Sequence, residues 1–173
     1  TKALGVGIYS AAIKKGELDG AGYAEMVAST TLLNRIGGEL SANPAVHAIT
    51  DVTGFGLLGH VLELARGSNL TAVINASDVP LFSHASRLAQ AGFITGASKR
   101  NWASYGNAVS LPAGMPDWQR DLLADPQTSG GLLVSCAAKD AQAVLKSIVD
   151  AGYPAAQIVG HAETGAPGVR VVS

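Results

Sequence analysis

Short apolar runs rich in branched residues alternate along this chain with longer segments in which apolar residues recur at every third or fourth position. One clear strand-like run is Leu70 to Asn75. The segment before it has helical spacing, with apolar side chains at Leu57, Leu58, Val61 and Leu62. Because alternating strands and helices pack as a sheet covered by helices, the pattern predicts an α/β or α+β domain with a mixed sheet and helices on its faces.

The same pattern gives bounds for each predicted element. The predicted strands are 3–9, 46–50, 70–75 and 131–136, with a closing hairpin formed by 157–162 and 169–172. The predicted helices are 23–40, 57–67, 83–91, 116–124 and 140–151. Residues 95–116, which are rich in glycine, serine and asparagine, are expected to form an ordered loop with a helical turn.

Composition limits the classes of protein to which the chain can belong. With 47% hydrophobic and 14% charged residues, its 173 residues suffice for one compact domain, which excludes a disordered chain. The net charge is −1 without blocks of like charge, so no nucleic-acid or anionic-membrane partner is expected. No apolar run approaches the roughly 18 residues of a membrane span, and no signal peptide is recognisable, which predicts a cytoplasmic protein.

A single cysteine, Cys136, excludes an internal disulfide and a multi-cysteine zinc site. Since it ends the apolar run 132–136, we expect a structural residue in a buried strand. The chain begins at Thr1, without an initiator methionine and directly before the predicted strand 3–9. We therefore expect it to be a piece of a longer protein.

The strongest candidate for a functional site is residues 50–60, Thr-Asp-Val-Thr-Gly-Phe-Gly-Leu-Leu-Gly-His, which we call the glycine loop. Gly54, Gly56 and Gly59 match the G-x-G-x-x-G pattern of dinucleotide sites, between a predicted strand and a predicted helix. Asp51 stands at the mouth of this loop, where its carboxylate would repel a bare pyrophosphate. A Mg²⁺ ion would remove the repulsion, since magnesium is held by one or two carboxylates together with substrate phosphates.

Three interpretations of the glycine loop are therefore open. In the first, Asp51 and Thr53 only cap the helix that follows. In the second, Asp51 binds magnesium while Thr53, Gly54 and Gly56 face the phosphates of a nucleotide. In the third, the loop binds a nicotinamide dinucleotide, for which Asp78 follows the next strand at a suitable distance.

A second candidate is residues 125–131, Asp-Pro-Gln-Thr-Ser-Gly-Gly, which we call the DPQT loop. Asp125 precedes a proline, so its backbone is extended and its carboxylate can point out of a helix end. Thr128, Ser129 and Gly130 belong to a turn whose successive N–H groups can form a nest for an anion. An ordinary turn held by side-chain hydrogen bonds is the alternative.

A third segment, residues 99–106, combines two cations, an amide and two aromatic rings. It could hold a phosphate or a base, or it could be a surface loop anchored by Trp102. Other catalytic patterns are missing, since the chain has no G-x-S-x-G, no His-Glu-x-x-His and no complete Walker loop. The four histidines show no metal-ligand spacing, and His60 and Glu63 are expected to be exposed on a helix.

Three segments of this chain, in this order, resemble the selenophosphate synthetases, or selenide, water dikinases. They are the glycine loop, Arg-Asn-Trp-Ala-Ser-Tyr-Gly at 100–106 and Asp-Pro-Gln-Thr-Ser-Gly-Gly-Leu-Leu at 125–133. The opening Lys-Ala-Leu-Gly-Val-Gly is also similar to the start of that family's C-terminal domain. The resemblance spans most of the chain and implies the superfamily of aminoimidazole ribonucleotide synthetase-like, ATP-dependent enzymes.

The resemblance implies a fold, a reaction and roles for particular residues. The fold is a three-layer α/β domain, with residues 1–173 as a single C-terminal domain beside an N-terminal domain. The reaction converts ATP, selenide and water into selenophosphate, AMP and phosphate, with several magnesium ions on the ATP phosphates. Asp51 matches the magnesium ligand of the C-terminal domain. The DPQT loop, with Asp125, Thr128, Ser129 and Gly130, would line the cleft that faces the N-terminal domain.

The resemblance also implies what this chain lacks. The family's catalytic cysteine or selenocysteine, its adjacent lysine and its glycine-rich segment lie upstream, and Cys136 is in the wrong segment to replace them. We therefore expect no catalytic residue here and no ATP hydrolysis by the chain alone. Homodimers in the superfamily rest largely on the N-terminal domain, which leaves the oligomeric state open. Another ATP-dependent ligase or kinase of the superfamily is the alternative.

Overall fold

The computed structural model describes all 173 residues as eight α-helices and six β-strands. The helices are α1 (Val6–Ile13), α2 (Gly20–Thr31), α3 (Ile36–Ser41), α4 (Gly56–Ser68), α5 (Ala85–Gln90), α6 (Gly96–Tyr105), α7 (Asp117–Leu123) and α8 (Ala141–Asp150). The strands are β1 (Val46–Asp51), β2 (Thr71–Asn75), β3 (Val109–Ser110), β4 (Leu132–Cys136), β5 (Gly160–Glu163) and β6 (Gly168–Val172). No helix combines the length and apolar character that crossing a membrane requires.

The strands form two separate sheets. The larger has the order β3-β6-β2-β5, in which β2 is parallel to β6 and antiparallel to β5. The smaller is the antiparallel pair β1-β4, in which Asp51 lies opposite Leu132. A mixed sheet accompanied by helices is therefore present, and the predicted fold class is confirmed.

Two hydrophobic cores join the helices to these sheets. The larger contains 24 buried residues and includes Leu58 of α4, Leu122 of α7 and Ile74 of β2. The smaller contains six buried residues, among them Ile36 of α3 and Ile148 of α8, packed beside β1 and β4. Each fully buried aliphatic side chain of this kind contributes about 1.5–3 kcal/mol through the hydrophobic effect. The glycine loop leaves β1 and enters α4, so it connects the two cores.

The predicted strand 3–9 is wrong, because the chain makes one bridge at Leu4 and enters α1 at Val6. Val6, Ile8 and Tyr9 favour an extended backbone here and the glycines disfavour a helix, but the first N–H groups of α1 are held by a distant side chain. Gln127 Oε1 accepts from the N–H groups of Gly5 and Val6 at 3.2 and 3.3 Å. Because a buried helix end needs such acceptors, a tertiary contact overrides the local preference.

The predicted helix 23–40 is two helices, because the backbone is extended at Leu32 (φ −68°, ψ 112°). The carbonyl of Leu32 accepts from Lys2 Nζ at 2.6 Å, and that of Leu33 accepts from the Tyr153 hydroxyl. These long-range hydrogen bonds hold both carbonyls outside a helix.

Two further predictions are wrong. The region 95–116 contains the ten-residue helix α6, whose N-cap Thr95 accepts from the N–H of Ser98 at 3.0 Å. The closing hairpin does not form, because β2 lies between β5 and β6 in the sheet. The helix α4 also continues one residue past Gly67 and ends on Asn69 in the left-handed conformation (φ 54°).

The strand β4 is confirmed, but all five of its residues are half-buried instead of buried. Cys136 contacts the smaller core. Burial, followed by the negative charge of Asp140, raises the pKa of its thiol. A higher pKa leaves less reactive thiolate, which agrees with a structural cysteine.

Candidate functional site

The three segments singled out in the sequence lie together in the folded chain. Asn101 of α6 is buried, and its Nδ2 donates to the carbonyls of Gly54 at 2.8 Å and Ala124 at 3.0 Å. The hydroxyl of Tyr105, also on α6, donates to the carbonyl of Phe55 at 2.7 Å. The helix α6 therefore ties the glycine loop to the end of α7, where the DPQT loop begins.

The glycine loop and the DPQT loop are also bonded directly. The carbonyl of Thr53 accepts from the N–H of Gln127 at 3.0 Å, and the N–H of Val52 donates to the carbonyl of Gly131 at 2.8 Å. A Cβ atom at Gly130 would overlap the carbonyl oxygen of Val52, so this close approach requires glycine. The two loops and α6 thus form one braced unit.

Trp102 anchors the third segment, residues 99–106, as expected if this segment is structural. The Trp102 ring lies against Gly106, where a Cβ atom would come within 2.8 Å of the indole. The guanidinium of Arg120 lies 5.3 Å from the ring centroid, within cation–π range. Residues 99–105 belong to α6, so Trp102 anchors a helix instead of a surface loop. Lys99 and Arg100 are exposed on this helix.

Asp51 is the last residue of β1 and is exposed. Its backbone is fixed by pairing with Leu132, while no hydrogen bond or ion pair engages its carboxylate. No group of three or more His, Cys, Asp or Glu side chains that could hold a metal occurs in the chain. The residues present therefore fit one carboxylate ligand for magnesium, with other ligands from outside, as is usual for Mg²⁺ on nucleotide phosphates.

The three glycines of the glycine loop differ in whether and why the fold requires glycine at each position. Gly56 has a positive φ of 68°, and a Cβ there would lie 2.5 Å from the backbone of Ala124. A Cβ at Gly59 would lie 2.5 Å from Phe55 and 3.0 Å from the Tyr105 ring. At Gly54, by contrast, no heavy atom lies within 4 Å of the Cβ position. Packing within the chain explains the second and third glycines of the motif and leaves the first unexplained.

The interpretation of the glycine loop as a nicotinamide site is wrong. A dinucleotide fingerprint requires a βαβ unit, in which the strands on either side of the helix share one parallel sheet. Here β1 pairs with β4 in the small sheet, whereas β2 belongs to the four-stranded sheet. Asp78, the expected ribose ligand, instead accepts from Asn75 Nδ2 at 2.6 Å.

Asp125 is fully buried and faces α1, whereas the sequence suggested a carboxylate that points out of a helix end. It accepts from the N–H of Ile8 at 3.2 Å, the hydroxyl of Ser98 at 3.2 Å and Gln127 Nε2 at 3.1 Å. A Cβ at Gly7 would overlap this carboxylate. Burial raises the pKa of Asp125 to about 7 against the opposing effect of these donors. The geometry supports a role in holding α1 and does not support direct contact with a nucleotide.

The DPQT loop exposes Thr128 and Ser129 while two of its carbonyls face inward. Lys2 Nζ donates to the carbonyl of Ser129 at 2.7 Å, and Asn34 Nδ2 donates to that of Gly130 at 2.8 Å. Ser129 is left-handed (φ 50°), and the N–H groups of residues 128–130 donate to no acceptor in the protein. Unused N–H groups in such a turn suit an anion nest, whose occupant stays a prediction.

Comparison of the sequence with known families gives one match that spans almost the whole chain. Residues 1–172 match the family described as AIR synthase related protein, C-terminal domain. The chain belongs to this family.

Curated relatives within the family carry the name that the motifs suggested. The chain is 61% identical over 173 residues to selenide, water dikinase of Rhizobium meliloti (strain 1021), covering 100% of the chain and 50% of that protein. It is 56% identical to selenide, water dikinase of Paraburkholderia xenovorans (strain LB400), covering 99% of the chain and 48% of that protein. The resemblance is confirmed, and the chain spans about half the length of these relatives.

Solved structures confirm the fold of the AIR synthase-related domain. Thiamine-monophosphate kinase from Stenotrophomonas maltophilia K279a matches with a TM-score of 0.63 at 20% identity, over 98% of this chain and 48% of its own. Escherichia coli HypE matches with a TM-score of 0.64 at 19% identity, over 99% of this chain and 44% of its own.

His60 is buried, which the sequence did not predict. Instead of being exposed, it is only 6% exposed and uses both ring nitrogens. Nδ1 lies 2.8 Å from Glu63 Oε2, and Nε2 lies 3.3 Å from Thr53 Oγ1. A signal was available, because His60 falls three residues after Leu57, within the apolar stripe of α4, and three before an acidic residue.

Proposed function

We propose that this chain is a domain of a selenide, water dikinase in which Asp51 supplies one ligand to the magnesium of Mg-ATP. The observation that carries the proposal is the exposed, unengaged carboxylate of Asp51 at the rim of a braced loop. The names of the curated relatives support selenide as the phosphoryl acceptor. The reaction would give selenophosphate, AMP and phosphate.

The chemistry of phosphoryl transfer fits this arrangement. Such reactions depend on positioning and charge neutralisation more than on covalent catalysis by the protein. Magnesium, when bound, neutralises phosphate oxygens and aligns them for transfer. Asp51 would hold the ion from a strand end whose backbone is fixed. The open space at Gly54 would let a phosphate approach the backbone, and the unused N–H groups of residues 128–130 would face phosphate oxygens.

Other parts of the site would come from outside these 173 residues. With one candidate metal ligand and no complete metal cluster, the chain needs further magnesium ligands, a selenide site and a nucleophile. We propose that an N-terminal domain of a longer, cytoplasmic and homodimeric protein supplies them. On this proposal the 173-residue chain alone hydrolyses no ATP, and measurable turnover by the purified chain would contradict it.

Asp51→Asn in the complete protein tests the assignment. The substitution keeps the size of the side chain and removes its charge, so selenide-dependent ATP turnover should fall roughly 100-fold or more while the fold survives. Asp78→Asn is the matched control, because Asp78 is also exposed and follows a strand, and it should turn over ATP like the wild type. Near-normal turnover in Asp51→Asn would reject the proposed ligand.

A second candidate is an ATP-dependent enzyme of the same fold with another acceptor. The fold that the chain shares with thiamine-monophosphate kinase and HypE favours it. The segment 100–106, which resembles the selenium enzymes, favours selenide. ATP consumption by the complete protein with and without selenide separates the two, since only a selenide, water dikinase requires selenide for turnover.

A further inference from the structure

His60 and Glu63 form a polar pair that the proposed magnesium ligand does not explain. The imidazole is buried among apolar neighbours of α4, with the Phe55 ring centroid 5.9 Å away. Burying a polar ring is unfavourable unless its nitrogens are hydrogen-bonded, and here each nitrogen has one partner. Both partners therefore matter for which ring nitrogen carries the hydrogen.

The partners define which nitrogen carries the hydrogen. The carboxylate of Glu63 can only accept, so Nδ1 of His60 donates to it. In the neutral ring Nε2 then has a lone pair, which accepts the hydrogen of the Thr53 hydroxyl. That hydroxyl has a single hydrogen. Once the hydrogen points at His60, the Thr53 oxygen can offer only lone pairs to any other partner.

An oxygen that can only accept suits a cation or a water bound to a cation. It does not suit a phosphate oxygen, which is also an acceptor. Thr53 lies two residues beyond Asp51, and its carbonyl accepts from the N–H groups of Gly56 at 3.1 Å and Gln127 at 3.0 Å. The backbone that carries the hydroxyl is therefore fixed beside the proposed magnesium ligand.

We propose that Glu63 and His60 are positioning residues that hold the Thr53 hydroxyl as an acceptor for magnesium or for one of its water ligands. The inference rests on the proposed function, because the magnesium site is part of it. It gives this chain a second oxygen at the metal, either as a ligand or as an acceptor for a bound water, and changes the predicted role of Thr53 from facing phosphate to facing the metal. Partners that orient metal ligands in this way typically change metal affinity by about 10–100-fold when removed.

The tautomer of His60 can be measured without metal or substrate. The complete protein is labelled with ¹⁵N histidine, and the His60 signals are assigned by their loss in His60→Gln. The expected spectrum has a protonated Nδ1 and a bare Nε2, and Glu63→Ala should weaken the preference for this tautomer. A protonated Nε2 in the wild type would overturn the proposal, because Thr53 would then be free to donate.

Metal affinity is the second readout. Binding of Mn²⁺ together with a non-hydrolysable ATP analogue is measured by electron paramagnetic resonance in the complete protein. Thr53→Val should weaken Mn²⁺ binding about 10-fold or more, and Thr53→Ser, which keeps the hydroxyl, should stay within about threefold of the wild type. Glu63→Ala should weaken binding about 10-fold, with rescue by Glu63→Gln, whose carbonyl still accepts from Nδ1. The control is Thr31→Val, since this exposed hydroxyl bonds only within its own helix.

Asp51→Asn in the same assay separates failure of the inference from failure of the proposed function. If Asp51→Asn weakens Mn²⁺ binding and a folded Thr53→Val does not, the positioning proposal is wrong and the proposed ligand stands. If neither substitution changes Mn²⁺ binding, the magnesium site itself is wrong and the positioning proposal falls with it. If both weaken binding and His60 has the expected tautomer, both proposals are supported.

Discussion

The two halves of the glycine loop differ in what surrounds them. In the inner half, residues 56–60, the glycines are required by backbone conformation or close packing, and His60 is buried with both nitrogens bonded. In the outer half, residues 50–55, the Asp51 carboxylate is unengaged, Gly54 borders open space and Phe55 is 52% exposed. The fold accounts for the inner residues, whereas in the outer half it uses neither the Asp51 carboxylate nor the open space beside Gly54. This difference supports assigning function to the outer half.

Gly56→Ala tests the inner half and should have the largest effect on stability. The new Cβ would meet the backbone of Ala124 and would force alanine into a left-handed conformation. Backbone strain and overpacking together should lower the free energy of unfolding by about 2–5 kcal/mol. Urea unfolding of the 173-residue chain measures this loss, and a change below about 0.5 kcal/mol would show that the inner half is less constrained than its geometry indicates.

Asp125 should make stability depend on pH. Burial raises its pKa from 3.8 to about 7, so between these pH values the folded chain binds more protons than the unfolded chain. Stability from this group is therefore greatest below pH 4 and decreases as the pH rises towards 7. By linkage the decrease amounts to at most about 4 kcal/mol. Asp125→Asn should remove this contribution, so the wild type should lose stability relative to the variant over that range, and parallel curves would contradict the prediction.

Asn101 ties the outer half of the glycine loop to the end of α7, and its removal should have a moderate effect. Asn101→Ala leaves the carbonyls of Gly54 and Ala124 without their donor. Loss of a buried partner should lower the free energy of unfolding by about 1–3 kcal/mol. Asn107→Ala is the matched control, because Asn107 is exposed. Equal stability of the two variants would mean that α6 does not brace the loop.

Gly54→Ala tests the outer half and should have the smallest effect on stability. No atom lies near the added methyl group, and φ at Gly54 is not positive, so the free energy of unfolding should change by less than about 1 kcal/mol. Turnover of the complete protein should nevertheless fall if a phosphate approaches this backbone. Normal turnover would leave the first glycine of the motif without a function.

The elements around the site differ in how far the sequence predicts them. The strand β1, the turn into α4 and the strand β2 follow from local pattern and glycine placement, and all three are confirmed. The helix α1 was not predictable in this way, because its first N–H groups are held by Gln127 and Asp125, which lie more than a hundred residues away. The insertion of β2 between β5 and β6 is likewise a long-range pairing with no local signature.

The candidate site shows the same limit. Asp51 stands out in the sequence because a carboxylate beside a phosphate-type loop requires a cation. The interior position of Asp125 depends on Gly7 and Ser98, which only the folded chain brings to it. The burial of His60 could be read from its place in the apolar stripe of α4, whereas its bond to Thr53 depends on a loop whose path is set by Gln127 and Gly56. Local chemistry is therefore predictable, and the direction in which a side chain points is not.

The most direct measurement is the selenide-dependent ATP turnover of Asp51→Asn in the complete protein, at a temperature where variant and wild type are equally folded. The proposed role of Asp51 predicts a fall of roughly 100-fold or more with an unchanged unfolding midpoint. Turnover within about twofold of the wild type would contradict the assignment of the magnesium ligand and, with it, the functional role of the outer half of the glycine loop.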